Sequence, residues 1–252
     1  MPLLLGVALW ELFWPEHKNT LPFVRRWIGN FSVFVISAAL MAVLAPSFAF
    51  ITNSVLHQSP LRGSPGAIGF WFHLALAILL LDALNYAVHW SFHKVPMLWR
   101  LHALHHSDIA LDVSTTVRHH PLETVVTALI VGVGGALLGC STVEVAVYGV
   151  LETLIQLVAH ADVRLPRFLE QVSSSIFVTP RFHRIHHSSN GVETDSNYGQ
   201  VFAFWDRLFG TYGGVANNER GAIEFGLREF RDFRSQRVDQ LLLLPLRATR
   251  LD

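Results

Sequence analysis

Apolar residues along the chain fall into blocks separated by polar stretches. The first block, MPLLLGVALWELFWP, has neither a basic leader region nor an A-x-A-like cleavage site, so it reads as a short membrane-associated helix. Residues 30–51 and 67–88 are nearly free of charge, and each is close to the roughly 20 residues a helix needs to cross a bilayer. Pro46 is expected to kink the earlier one. Residues 122–139 and 143–160 read as a helical hairpin broken at Gly139-Cys140-Ser141, each arm at the short end for a span. Residues 94–121 and 161–252 are too charged to cross. The pattern predicts an all-α integral membrane protein: about four transmembrane helices, a short N-terminal apolar helix and a cytoplasmic helical cap. All of 1–252 is read as one membrane domain.

Composition agrees. The chain is 51% hydrophobic and 15% charged, with mean hydropathy +0.38, which is more apolar than a soluble domain needs. A formal net charge of zero gives no electrostatic case for nucleic acid. One cysteine, Cys140, rules out a disulfide framework and a cysteine-based metal site. Basic residues set the expected orientation. Lys18, Arg25 and Arg26 precede the second block, Lys94, Arg100 and Arg118 follow the third, and Arg164 and Arg167 follow the hairpin, whereas loop 52–66 holds only Arg62. The positive-inside rule puts the basic-rich segments in the cytoplasm of a multi-pass protein, here a bacterial inner-membrane one.

Histidine carries the chemistry. Fourteen are present, and most fall into His89-x3-His93, His102-x2-His105-His106 and His183-x2-His186-His187. Chance gives roughly 0.04 copies of H-x-x-H-H in such a chain, against two observed. Spacings of three and four put side chains on one helical face, so each cluster aims imidazoles at one point. Imidazole suits iron, copper, zinc and nickel, and eight clustered donors exceed what one metal can use; two metals sharing the set is the natural reading. Without metal, such crowding leaves ring nitrogens unsatisfied. Single histidines, His17, His57 and His73, are read as hydrogen-bonded interfacial residues.

A polar stripe runs along the second hairpin arm, where Glu152, Gln156 and His160 recur every four residues. His160, at the membrane edge, is placed as a ninth ligand. Glu152 and Gln156 belong either to a hydrogen-bond seam between helices or to the support of the metals. Asp82 and Asn85, one or two turns before His89, are placed to orient imidazoles, and His120 is a candidate ligand or supporting group.

These motifs resemble the fatty acid hydroxylase / sterol desaturase superfamily. The ending strengthens the likeness: Pro180-x2-His183-Arg184-x-His186-His187, Asn197-Tyr198-Gly199, then Trp205-Asp206-x-Leu208-Phe209-Gly210-Thr211. The similarity extends over 20–250, with a fatty acid hydroxylase-like catalytic core at 80–215. It implies a membrane-bound non-heme diiron oxidoreductase using O2 and two electrons to hydroxylate or desaturate a fatty acyl, sterol-like or sphingolipid-like substrate. By motif position the two irons fall to His89, His93, His102, His105, His106, His183, His186 and His187, with His160 next. Some members carry a further histidine where this chain has Gln156.

Lipid substrate is expected from the bilayer, and electrons from a separate ferredoxin-, cytochrome b5- or flavin reductase-type protein, since the sequence has no motif for a fused donor. The alternative within enzymes is an alkylglycerol-type ether-lipid monooxygenase, which the ending also resembles. Outside enzymes, a metal-binding transporter would place polar ligands through the bilayer depth rather than at one face.

Overall fold

In the computed structural model, residues 2–17, 23–61, 67–213 and 223–248 are described, 67 and 68 by backbone alone. Lys18 and Arg62, counted above among the orienting charges, lie outside them. These residues form helices and short turns, with isolated bridges and no sheet. In chain order the first helices are α1 (Pro2–Phe13), α2 (Phe23–Gln58), α3 (Ala67–Lys94) and α4 (Pro96–His106). A 3-10 turn (Val113–Val117) leads to α5 (Pro121–Leu137) and α6 (Thr142–His160). The short helices α7 (Arg167–Ser173), α8 (Pro180–His186), α9 (Gly191–Thr194), α10 (Phe204–Leu208) and α11 (Val238–Leu243) follow.

Among the described residues, three helices are long and apolar enough to cross a bilayer: α2, α3 from Gly69, and α6. The fourth expected span, α5, has 17 residues. That is a rise of about 26 Å, short of a hydrocarbon core of about 30 Å. It packs along α2 and α3 all the same. The hairpin turn follows its sequence: Gly139 takes φ 80°, and Ser141 and Glu144 close a reciprocal cap on α6.

Two helices outrun their apolar blocks. α3 continues through His93, which keeps both of its histidines on one helix. α2 starts seven residues before its block and runs without a break through Pro46. Its early polar residues are inside the protein: Arg26 is 1% exposed and Asn30 fully buried. Arg26 pairs with Asp108 through Nε (2.6 Å) and Nη2 (2.9 Å) and with Asp112 through Nη1 (2.8 Å). Arg118, also buried, donates to Asn30 Oδ1 (2.7 Å), Ser107 Oγ (2.7 Å) and the Leu104 carbonyl (2.9 Å). Two charges read from sequence as orientation signals therefore fasten α2 to the 107–118 segment.

Candidate metal centre

Proline starts three of the elements that bring the histidines together. Pro96, Pro121 and Pro180 open α4, α5 and α8, each after an extended residue, where the missing N–H costs nothing and the fixed φ suits the helix. After Lys94 the chain turns at once into α4, which brings His102 and His106 over His89 and His93: ring centroids lie 5.0 Å apart for His89–His102 and 4.8 Å for His93–His106. His160 ends α6, and α8 crosses that end with His183 and His186, His187 following as its cap.

Nine histidines form two groups. His89, His93, His102, His106 and His186 make one; His105, His160, His183 and His187 make the other, with one nitrogen from each member lying within 4.8 Å of the rest of its group. None of the nine is more than 6% exposed. Each H-x-x-H-H box is divided: its outer pair serves one group and its middle histidine the other.

The hydrogen bonds fix which nitrogen points inward. Nδ1 donates to the carbonyl of Ser196 in His186 (2.7 Å), Arg118 in His105 (3.2 Å) and Gln156 in His160 (2.9 Å), while in His89 Nδ1 lies between the Tyr198 carbonyl (2.8 Å) and Gln200 Nε2 (2.6 Å). The rings of His186, His105 and His160 therefore present a bare Nε2 lone pair. Yet Nε2 of His89 lies 3.2 Å from that of His102, and Nε2 of His160 lies 3.2 Å from His105 and 3.0 Å from His183. Facing lone pairs at this distance repel unless a cation lies between them. Among the described residues His186 Nε2 and both nitrogens of His93 are buried with no hydrogen-bond partner, His93 Nδ1 lying 3.5 Å from Asp195 Oδ1. The donor set fits two metal ions bound through imidazole, iron among those it suits.

Burial also keeps the rings neutral, as ligands must be. It pushes the pKa values of His105, His106, His183 and His187 well below the ordinary imidazole value, with neighbouring imidazoles adding to the effect. His186 is lowered to about 3 by burial, against the opposing Ser196 carbonyl.

Two supports hold the rings. Asn197 takes φ 58°, the left-handed region an asparagine tolerates. It is held by bonds from Nδ2 to the Phe182 carbonyl (3.1 Å) and from the Gly213 amide to Oδ1 (2.9 Å). The turn it makes aims its neighbours' carbonyls, Ser196 and Tyr198, at His186 and His89. Glu123 is the other support: Oε1 takes both His102 Nδ1 (2.7 Å) and His119 Nδ1 (2.9 Å). His119 stacks on His105 at 4.4 Å and 13°. Burial opposes protonation of His119, but the Glu123 charge prevails and raises its pKa.

Glu123 and His119 escaped the sequence reading, although their four-residue spacing across the start of α5 was a usable signal. Neighbouring His120 caps α5, its Nδ1 accepting from Leu122 and its Nε2 3.2 Å from the Leu242 carbonyl, and joins neither group. Asp82 orients no imidazole. It accepts from the amides of Val201 (3.0 Å) and Phe202 (3.1 Å), Trp205 Nε1 (2.9 Å) and Tyr148 OH (3.1 Å), fastening the aromatic 201–205 segment to α3. Asn85 bonds Glu152 and Tyr148 rather than a histidine. The Gln156 side chain donates to the Gln200 carbonyl (2.5 Å), so this residue supports His160 through its backbone. Of the single histidines, His17 pairs with Asp162 (2.7 Å) and His73 with Glu144 (2.5 Å).

A cavity of about 850 Å3 meets both groups, at His89 and His102 on one side and His105, His160 and His183 on the other. From there it extends between α2, α5 and α6 past Phe34, Met41 and Val131, with Leu3 and Leu4 of α1 also on its wall.

A family model described as fatty acid hydroxylase matches residues 74–211. The chain is 33% identical over 141 residues to an ornithine lipid hydroxylase of Rhizobium tropici, covering 56% of this chain and 42% of that protein. It is 30% identical over 134 residues to an alkylglycerol monooxygenase of Caenorhabditis elegans, 52% of this chain and 25% of that one. With a very-long-chain aldehyde decarbonylase of Oryza sativa subsp. japonica the identity is 28% over 229 residues, 86% of this chain and 81% of the relative. The chain thus spans less than half the length of the first two. No solved structure matches.

Proposed function

The chain belongs to the fatty acid hydroxylase family, and on that premise we propose that it is a membrane-bound non-heme diiron oxidoreductase that hydroxylates or desaturates a lipid. The observation that carries this reading is the division of nine buried histidines into two groups at the head of an apolar cavity. Two irons, when bound, supply an oxidant able to take hydrogen from an unactivated C–H bond at the expense of O2 and two electrons.

The protein's own part is holding, orienting and excluding water. His89, His93, His102, His106 and His186 hold one ion; His105, His160, His183 and His187 hold the other. The carbonyls of Tyr198, Ser196, Arg118 and Gln156, with the Glu123 carboxylate, fix ring orientation and tautomer. Burial keeps bulk water from the reacting atoms, and the walls of α2, α5 and α6 take the lipid tail.

Electrons come from a separate donor protein, and the site faces the cytoplasm of a bacterial inner membrane. The name of the ornithine lipid hydroxylase relative favours a polar lipid; an ether-lipid monooxygenase is the second reading, favoured by the alkylglycerol relative. A metal transporter lacks support, because the histidines gather at one end of α3 and α6 rather than along the bilayer depth. Iron per chain in the purified protein tests the reading: two supports it and none defeats it. Lipidomics of a deletion strain, restored with wild type and with His106→Ala, then identifies the missing hydroxyl or double bond.

A further inference from the structure

The cavity lining is mixed: α2 and α5 contribute Phe31, Met41 and Val131 beside Thr124 and Thr127, and α3 and α6 contribute Val88 and Leu157 beside Asn85, Tyr148, Glu152 and Gln156. Glu152 stands eight residues before His160, about 12 Å along α6, and its partner Asn85 stands four residues before His89, about 6 Å along α3, so the carboxyl lies within about 12 Å of the histidines. A carboxyl group at that depth costs free energy unless something hydrogen-bonds it.

Among the described residues the Glu152 carboxyl has one hydrogen bond, from Asn85 Nδ2 at 2.6 Å, although a carboxylate can accept about four. A tie between α3 and α6 already exists without it. Tyr148 donates to Asp82 (3.1 Å), accepts from Asn85 (3.1 Å), and is buried. Glu152 instead borders open space, with acceptor capacity left over, in the cavity that reaches the histidines.

We propose that Glu152, held by Asn85, is a specificity-determining residue that pairs with a hydrogen-bond donor of the lipid, a hydroxyl, amide N–H or amine lying within about 12 Å of the oxidised carbon. The inference rests on the proposed function only in taking this cavity as the substrate's. A plain hydrocarbon chain would press methylenes against a carboxyl group and strip it of solvent. A lipid with a donor at that level replaces the lost water. The substrate class is therefore a lipid oxidised close to its polar portion, with the tail lying against α2 and α5.

Binding by the full chain in nanodiscs tests this with two probes of one chain length: 1-O-hexadecylglycerol, which has two hydroxyl donors, and its 2,3-di-O-methyl ether, which has none. Wild type should bind the diol about 10- to 100-fold more tightly, the range for hydrogen bonds to a charged group. Glu152→Leu should abolish the preference by weakening the diol alone, while Glu152→Gln keeps part of it. Iron per chain should stay unchanged in both. Asn85→Ala, which frees the carboxyl without removing it, should reduce the preference and serves if Glu152→Leu fails to fold. Equal binding of the probes by wild type, a preference that survives in a folded Glu152→Leu protein, or an undiminished preference in Asn85→Ala, overturns the proposal. A wild-type protein without iron overturns the diiron reading and leaves the binding result standing.

Discussion

His102 reaches Glu123 across the start of α5, Nδ1 lying 2.7 Å from a carboxylate oxygen that also holds His119. The bond turns His102 Nε2 toward its group and makes the imidazole a stronger donor. Glu123→Leu should therefore weaken iron binding about 10- to 100-fold, with Glu123→Gln at the lower end. Chelator titration of the purified protein reads this directly. Unchanged affinity would mean that packing alone orients His102.

The two groups share helices but no ligand. His187→Ala should lower iron from two per chain toward one by emptying its own group, and His186→Ala should do the same for the other group. Elemental analysis of folded variants checks it. A variant that loses both ions or neither contradicts the division.

Asp108 lies at the centre of the buried network that joins Arg26, Asn30 and Thr115. Asp108→Asn leaves a buried guanidinium short of its counter-charge and should cost about 3–5 kcal/mol. Burial pushes the Asp108 carboxyl up, but the Arg26 and Arg118 charges outweigh it and hold the group well below the usual carboxylate range. A group depressed in this way adds stability above its unfolded value, near pH 3.9, and that contribution fades as pH falls toward the folded value. Thermal melts should show the full gap between variant and wild type at pH 7 and a smaller one below about pH 4.

Asn197 should resist replacement by residues with a β-carbon and no local hydrogen bond. Asn197→Ala puts alanine in a left-handed conformation at about 1–2 kcal/mol and loses two side-chain bonds besides. Asn197→Gly removes the bonds without the strain and should be intermediate in melting temperature. If the turn aims the Ser196 and Tyr198 carbonyls as the geometry indicates, iron retention will follow the same order.

The proposed orientation needs exposed reporters. Ser107 and Ser188 sit on the histidine side but are buried. Val192, 83% exposed, and Leu61, 59% exposed near the opposite end of α2, are better placed, and native Cys140 is buried. A membrane-impermeant thiol reagent applied to intact cells should modify a cysteine at Leu61 and spare one at Val192. The reverse pattern would turn the site outward.

The histidines were legible in sequence because spacings of three and four translate into a helical face without knowledge of the rest of the fold. His160 was legible because a histidine closing an apolar block has few places to go. Which of the two groups each histidine joins was not, since i+3 and i+4 are both counted as the same face while the geometry separates them. His119 and His120 are adjacent, and periodicity alone cannot say which turns inward; the helix start at Pro121 makes His120 the cap. Arg26 and Arg118 looked like surface charges because their partners, Asp108 for one and Asn30 for the other, lie some eighty residues away. Asp82 was misjudged for the same reason, its partners being near residue 200.

The crossing of the two H-x-x-H-H boxes bears on how the centre can be inherited. His102 and His106 serve one group while His105 serves the other, and in the second box His183 and His187 answer to the group that His186 leaves. Point substitutions can subtract a donor from either group. A residue inserted or lost in the two-residue spacer of a box instead rotates both later histidines by about 100°, so both groups lose donors together. The two histidine groups therefore behave as a single heritable character, and a lineage that changes the length of either spacer abandons the pair at one step.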